Sequence, residues 1–554
     1  MQRETIGKVI IDYTAATTSD TYSDGDIEDV ILDALKNGHA DELLHNSTNY
    51  AVLYHLSPVR HNLVAGLDFP EGASVLEIGA GCGGITGILC QKAAAVTAVE
   101  LTARRAKIAA YRNQDCNNLT IRVGNLNDMA FSEKFDVITL IGVLEYAASF
   151  THTAAPYHDF LAKVKSLLKP DGMLIIAIEN RLGMKYFSGA AEDHTGVLFR
   201  SITGYPKGSH VQTFAKTELT ALLESVGFQT HDYYYPHPDY KIPNDVFSDR
   251  HLPTRHSLLD MPNLTYDVDR VELFSENAAF ATVIDAGLYP IFANSFLVLA
   301  SPTNYKSPQV AVAWHVAPYR KPTEALLTRH IERNGKLFIQ KMALSPAARP
   351  HLQRYLENGQ ILTQDYGEKH IPKSYRLTDD LIEIEYAKGK SLMTMLIEDL
   401  ERASESQFEG ILNRYLNFYA DHLLCGTEDD SQPTSTDHRS PNRRYNIDLH
   451  FDNIIVDGRL EDANFQIIDY EWLVPTVSQS HMLIVVAEYI IWRIEMRSQL
   501  NLDLIRVLLN HLLGITEEDI QKYSEDKLAW LTSIQQFYRD NYLKRRHGAQ
   551  FNFN

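Results

Sequence analysis

The chain has 554 residues, too many for one hydrophobic core at about 150 residues per domain, so two or more domains are expected. Hydrophobic residues make up 45% and charged residues 22%, an ordinary globular composition that gives no support to disorder, collagen or coiled coil. With 52 Lys and Arg against 71 Asp and Glu the net charge is −19, which disfavours nucleic acid or an anionic lipid surface as a partner unless a local patch reverses the sign.

The start, MQRETIGKVIIDYT, lacks a basic stretch followed by an apolar core, so no secretory signal is read there. Residues 1–70 are expected to form a helical extension. From Ser74 to about Phe228 the apolar runs SVLEIGA, AAVTAVE, LTIRVGN, FDVITLIGV and GMLIIAI alternate with helical patterns such as TARRAKIAAYRNQ and HDFLAKVKSLLK. That alternation predicts an α/β domain with a doubly wound, Rossmann-like parallel sheet covered by helices on both faces. An amphipathic helix, TELTALLESVGF, and an aromatic segment, HDYYYPHPDYKIP, come next. Those aromatics are either core or a platform for a sugar ring. Periodicity fades between Asn244 and Leu288, and FANSFLVLAS then offers a strand that could return to the edge of the first sheet.

The two prolines of SPTNYKSPQ suit a linker, so a first domain over 71–303 is expected to give way to a second over 304–500. There QVAVAWHVA and KLFIQKMAL read as strands, SPAARPHLQRYLENGQIL as a helix, and SQFEGILNRYLNFYADHLL as the longest helix. Gly426 to Arg444 reads as a mobile surface loop. The apolar stretch Met482 to Trp492 falls short of the ~20 residues that span a bilayer and contains Glu488, so a buried helix is expected. Residues 501–554 are expected to be helical, with Lys544, Arg545 and Arg546 at a solvated helix end. Four cysteines, Cys82, Cys90, Cys116 and Cys425, form no CxxC pair, which suggests neither a disulfide framework nor a zinc ribbon and fits a reducing cytosol.

VLEIGAGCGGITGIL places Glu77, Gly79, Gly81, Gly83 and Gly84 between a strand and a helix. Glycine suits such a turn because a Cβ would keep a ligand from the backbone. Gly79, Gly81 and Gly84 also fit the G-x-G-x-x-G of dinucleotide enzymes, so the glycines alone leave an NAD-dependent oxidoreductase open. Three neighbours favour S-adenosylmethionine (SAM). Glu77 could face its cationic methionine end, Glu100 closes the second strand where it would grip ribose hydroxyls, and VGNLND and FDVITLIGVLEY end the third and fourth strands. Together with LLKPDGMLIIAIEN, these residues resemble class I SAM-dependent methyltransferases over roughly 50 to 240. The resemblance implies that the Gly79 to Gly83 loop holds the methionine portion, Glu100 the ribose, and Asn125 with Leu126 the adenine, with Asn125 standing where Asp is common.

Methyl transfer is an in-line displacement at the sulfonium carbon, so positioning dominates, and a hydroxyl acceptor additionally needs a base. In IENRLGMKYFSGAAEDHTG, Asp193 and His194 stand where the acceptor pocket opens, and His194 is the candidate base beside the alternative of a structural histidine. Glu145 and Tyr146 are candidates for the pocket wall.

In the C-terminal half, NIDLHFDNIIV and FQIIDYEW place Asp448, Asn453 and Asp469 at intervals suited to phosphoryl transfer: one Asp to orient a hydroxyl, Asn453 and Asp469 to hold magnesium. The spacing resembles aminoglycoside phosphotransferases and choline-kinase-like enzymes, which implies an α+β, protein-kinase-like domain using ATP with Mg2+, Lys341 on the phosphates and Glu357 as its partner. Asn446 replaces the family's usual histidine, Glu471 stands where protein kinases have glycine, and no glycine-rich turn lies between Gln309 and Leu337. The alternative is a degenerate, non-catalytic docking module.

The domain order resembles bifunctional methyltransferase-kinases that cap bacterial O-antigen, and ENRLGMKYFSGAAEDHTG with IDYEW is similar to methyltransferases encoded with bacterial surface-polysaccharide machinery. The resemblance implies a glycan or glycan-phosphate acceptor, a glycosyltransferase as a candidate partner, and a cytoplasmic protein that could sit peripherally at the inner face of the membrane.

Overall fold

The computed structural model describes residues 3–16, 22–255, 272–303, 309–317, 320–424, 445–474, 479–497, 500–516, 518–523, 525 and 527. The chain divides into two compact units between Tyr319 and Arg320.

The first unit opens with a hairpin, β1 (Arg3–Ile6) and β2 (Val9–Asp12), which corrects the expectation of a wholly helical extension over residues 1–70. β2 pairs in parallel with β5 (Leu119–Val123), so the start of the chain extends the sheet. β3 (Ser74–Ile78), β4 (Ala95–Glu100), β6 (Phe135–Ile141) and β7 (Leu168–Glu179) complete a parallel block in the order β5-β4-β3-β6-β7. Their cores are buried, as continuous apolar runs in a sheet covered on both faces require. Beyond β7 come β8 (Thr230–His237), β9 (Asp245–Ser248), β10 (Ser295–Ser301) and β11 (Gln309–Val316), in the order β7-β10-β8-β9-β11.

Three expectations change here. FANSFLVLAS does not return to an edge: β10 lies antiparallel between β7 and β8, which its almost complete burial demands. The tyrosines of HDYYYPHPDY on β8 are core, with Tyr233 and Tyr235 packed edge-on against Phe296, and so offer no sugar platform. Gln309–Val316, expected to begin the second domain, pairs with β9 through Trp314↔Val246, so the boundary lies beyond the linker at 303/304. A helix, Glu276–Asp285, also forms in the stretch of weak periodicity, started by the Ser275 hydroxyl accepting from the Ala278 amide.

The second unit places its sheet before its helices. β12 (Leu326–Arg333), β13 (Lys336–Ala343), β14 (Ser374–Thr378) and β15 (Leu381–Glu385) run antiparallel in the order β12-β13-β15-β14. Asn334 and Gly335, both at positive φ, make the two-residue turn between the first two. The helices Arg349–Tyr366, Leu392–Arg402 and Phe408–Leu423 follow. Short strands then frame the acidic loops: β16 (Lys390–Ser391) pairs with β18 (Ile454–Val456), β18 with β19 (Phe465–Ile467), and β17 (Tyr445–Asn446) with β20 (Leu473–Val474). Met482–Trp492 lies within the helix Gln479–Arg497, and Leu502–Leu513 is the next helix. Among the described residues no helix is long and apolar enough to cross a membrane. The expected loop at Gly426 to Arg444, Cys425 and the basic cluster Lys544 to Arg546 lie outside the described residues.

Candidate active site

β3 ends at Ile78, and the chain turns through Gly79, Gly81 and Gly83, all at positive φ, into the helix Thr86–Lys92. A Cβ at Gly79 would stand 2.5 Å from Val143 Cγ2, and one at Gly83 2.9 Å from Ala109 Cα. Conformation and space therefore both demand glycine there. The loop is pinned by Glu100, whose carboxylate accepts from the Gly81 amide at 2.8 Å and the Thr102 amide at 2.9 Å. Burial raises the Glu100 carboxyl, against the pull of these amides and Arg105.

Glu77, 4% exposed, accepts from the Thr86 hydroxyl at 2.6 Å. Burial, reinforced by Glu100, pushes it up to about 7. Gly124, Asn125 and Leu126 line the same cavity, and Asn125 shapes its own turn by accepting from the Asn127 amide at 2.9 Å. The cavity measures about 1530 Å³, beyond the roughly 300–1,000 Å³ usual for one small ligand, and leaves room for donor and acceptor together.

The sequence reading missed Arg60. Its guanidinium is buried, lies 3.8 Å over the Tyr54 ring, and its Nε and Nη1 have no hydrogen-bond partner. It flanks the loop: a Cβ on Gly84 would meet Arg60 Nε at 2.8 Å. No local motif marks SPVRHN, because the cation reaches the loop only through tertiary packing. A buried guanidinium with two unbonded nitrogens in this cavity suits the carboxylate of a methionine moiety. Arg60→Met is expected to weaken S-adenosylhomocysteine binding at least tenfold, read by calorimetry; unchanged affinity would exclude this role.

At the other end, Glu145, Tyr146, Asp193 and His194 meet Glu179 from the end of β7. His194 Nδ1 is 2.9 Å from the Tyr146 hydroxyl, and its Nε2 is 3.4 Å from Glu179 Oε2. Burial alone would lower the imidazole, but Glu179, Glu145 and Asp193 lift it to about 9. Burial and Glu179 together push Glu145 up to about 8. Asp193 departs from the catalytic role expected for it: Lys185 at 2.9 Å, Lys241 at 2.5 Å and the Tyr186 hydroxyl at 2.5 Å occupy its carboxylate. Those cations hold it well below the usual carboxylate range despite burial, so it positions its neighbours. His194 Nδ1 is held by the Tyr146 hydroxyl, while Nε2 lies beside Glu179 without a hydrogen bond, so the expected base keeps one nitrogen unbonded.

In the second unit Lys341 on β13 pairs with Asp469 at 2.8 Å and Glu471 at 2.6 Å. Glu357, expected as its partner, is instead exposed and accepts from Gln353. Asn446 donates to the Asp469 carbonyl at 3.2 Å and accepts from the Asp448 amide at 3.1 Å. Asn453 donates to the Asp448 carbonyl at 2.8 Å. Asp448, Asn453, Asp469 and Lys341 thus gather in one region, and Asp469 stands at a φ of 55°. Burial, with Asp469 and Glu471 nearby, raises the Asp448 carboxyl.

The Rossmann-like sheet and its acidic, glycine-lined crevice define a SAM-dependent methyltransferase, and a family model described as a methyltransferase domain matches residues 76–174. That match decides against the nicotinamide reading of the same glycines. The chain is 29% identical over 186 residues to a ubiquinone biosynthesis O-methyltransferase of Xanthomonas axonopodis pv. citri (strain 306), covering 32% of this chain and 72% of that protein. It is 32% identical over 111 residues to a demethylmenaquinone methyltransferase of Tropheryma whipplei (strain Twist), covering 20% and 43%. Among solved structures it is similar to the phosphoethanolamine N-methyltransferase 1 of Haemonchus contortus, in complex with phosphoethanolamine and S-adenosylhomocysteine, at 13% identity and a TM-score of 0.30 over 52% of this chain and 53% of that one.

Proposed function

We infer that the chain methylates a hydroxyl oxygen of a glycan-type acceptor held against Glu145, Tyr146 and His194. The observation that carries this reading is the single cavity lined both by the Gly79 to Gly84 loop and by that polar wall. SAM lies with its methionine end between Glu77 and Arg60, its ribose at Glu100 and its adenine at Asn125 and Leu126. The acceptor oxygen attacks the methyl carbon in line with the sulfur. A C–O bond forms, the C–S bond breaks with its electron pair left on S-adenosylhomocysteine, and the hydroxyl proton passes to water. Oxygen as the acceptor atom is supported by the relatives described as O-methyltransferases. A glycan is supported by the likeness of ENRLGMKYFSGAAEDHTG to methyltransferases of bacterial surface-polysaccharide assembly. The test is SAM turnover against two acceptor panels, nucleotide sugars with short glycans and catechol-type quinols, with products weighed by mass spectrometry. Methylation of quinols alone would overturn the glycan.

A second reading, favoured by the gathering of Lys341, Asp448, Asn453 and Asp469, makes the second unit an ATP-dependent phosphotransferase that acts on the same glycan end. Asp448 orients the acceptor hydroxyl while Asn453 and Asp469 hold magnesium. Glu471 opposes this activity by occupying Lys341, and it is kept ionised by Lys341, His351 and Arg320 against the cost of burial. Mg-ATP titrated into the full chain is expected to bind, with binding lost in Asp469→Ala and strengthened about tenfold in Glu471→Gln, which frees one side of Lys341. S-adenosylhomocysteine binding without ATP binding would leave the second unit as a docking module, with a glycosyltransferase as the candidate partner.

A further inference from the structure

The polar wall at the acceptor end gathers four carboxyl groups beside three basic side chains. Glu145, Glu179, Asp193 and Asp239 stand among Lys185, Lys241 and His194. Glu145 and Glu179 are 1% and 0% exposed, too deep for water to screen them. Lys241 satisfies one side of Glu179, where Lys241 Nζ is 2.5 Å from Oε1 and the Tyr240 hydroxyl donates to the same atom at 3.3 Å. The other side faces His194 Nε2 at 3.4 Å without the alignment of a hydrogen bond. Glu179 Oε2, Glu145 Oε2 and His194 Nε2 have no hydrogen-bond partner, although all three are buried. Bare carboxylate oxygens in such a place cost several kcal/mol each unless a cation meets them.

Geometry names the cation. One donor atom from each of Glu145, Glu179 and His194 lies within 4.8 Å of the other two. Ligands about 2.1 Å from a shared ion stand roughly 3–4 Å apart, so small rotations of side chains bring the three onto one centre. The Tyr146 hydroxyl at 2.9 Å can accept a proton from His194 Nδ1, which leaves the Nε2 lone pair for the ion and fixes the ring as a second layer of contacts does in metal sites. Two oxygens and one imidazole nitrogen suit Mn2+, Mg2+, Fe2+ or Zn2+, and their three positions leave others open.

We propose that Glu145, Glu179 and His194 bind a divalent cation, and that its open positions take the hydroxyl oxygen of the methyl acceptor. The acceptor half of this statement rests on the methyl-transfer reading above, whereas the cation site does not. The bound hydroxyl becomes more acidic, releases its proton to water, and presents its oxygen to the SAM methyl carbon. His194 is then a ligand and not a base, which accounts for a buried Nε2 without a hydrogen bond. Acceptors with a second oxygen beside the reacting hydroxyl, such as vicinal diols, would chelate the ion and be favoured.

The test is Mn2+ titration of the purified full chain, followed by loss of the free-ion signal in electron paramagnetic resonance. Asp469→Ala serves as the background so that the acidic loops of the second unit do not contribute. S-adenosylhomocysteine binding is measured on the same samples. The expected result is one Mn2+ per chain, weakened at least tenfold by Glu145→Gln and by His194→Gln, with S-adenosylhomocysteine still bound. Methyl transfer should vanish with a chelator and return with Mn2+. Absence of Mn2+ binding by a chain that binds S-adenosylhomocysteine overturns the cation site and leaves the methyltransferase reading standing. Mn2+ binding indifferent to both substitutions overturns the assignment of ligands. Turnover unaffected by the chelator overturns the acceptor half.

Discussion

Lys185→Met should destabilise the first unit by about 3–5 kcal/mol, the cost of leaving a buried charge without its partner. Lys185 is 1% exposed, and its Nζ lies 2.9 Å from both Asp193 Oδ2 and Asp239 Oδ2. Methionine fills nearly the same volume but supplies no cation. Asp193 keeps Lys241, whereas Asp239, fully buried, loses the ammonium on its Oδ2 and keeps the Lys241 amide at 2.9 Å. For a unit of this size the melting temperature should fall by about 5–8 °C. The relevant transition is the one that S-adenosylhomocysteine shifts upward, since a ligand stabilises only the unit it binds. Lys185→Met combined with Asp239→Leu should recover part of the loss, because removing both charges removes the unpaired one. A melting temperature unchanged by the single substitution would show that this ion pair is not what holds the segment Met184–Phe187 beneath the cavity.

Glu77→Gln should raise stability above neutral pH while weakening SAM. The Glu77 carboxyl is lifted from 4.5 to about 7, chiefly by burial, so between those pH values the folded chain holds a proton that the unfolded chain has lost. Stability therefore falls as pH rises through that window, by up to about 3 kcal/mol, and stays lower above it. Glutamine never ionises and can still accept from the Thr86 hydroxyl. Urea denaturation should show the variant more stable at pH 8 and nearly equal to the parent at pH 5. SAM binding should move the other way, losing about tenfold, because the cationic methionine end no longer meets a carboxylate. Equal pH profiles for parent and variant would mean that Glu77 ionises in the folded chain as it does in the unfolded one, so that burial does not raise it. Unchanged SAM affinity would remove it from the binding site.

The donor end of the cavity was legible in sequence because its residues are local. Glu77, Gly79, Gly81 and Gly83 occupy one strand and turn, and Glu100 ends the adjacent strand, where a doubly wound sheet puts its ligand. The acceptor end was legible only in part. Glu145, Tyr146 and His194 could be pointed to as wall residues, but Glu179 could not, since it is the last residue of an apolar strand whose pattern says only that it is buried. The pairing of Asp193 with Lys185 and Lys241 depends on chain crossings up to 48 residues apart, and these turn a candidate catalytic acid into a structural one. Arg60 escaped notice for the same reason.

Periodicity likewise distinguished strand from helix and sheet-first from helix-later, because those patterns follow from which residues face the core. It could not say where a strand lies in its sheet. β10 between β7 and β8, the opening hairpin beside β5, and β11 on β9 are all matters of pairing partner, and backbone hydrogen bonds carry no residue code. In the second unit the spacing of Asp448, Asn453 and Asp469 was visible in one dimension, yet the partner of Lys341 proved to be Glu471 and not Glu357. The sequence by itself determined the alternating elements of the parallel sheet, the glycine loop and the cofactor, because these depend on local geometry and on residue type. Only the tertiary structure decided which buried charges meet, because an ion pair is set by distance in space and each buried carboxylate must find whichever cation the fold brings to it.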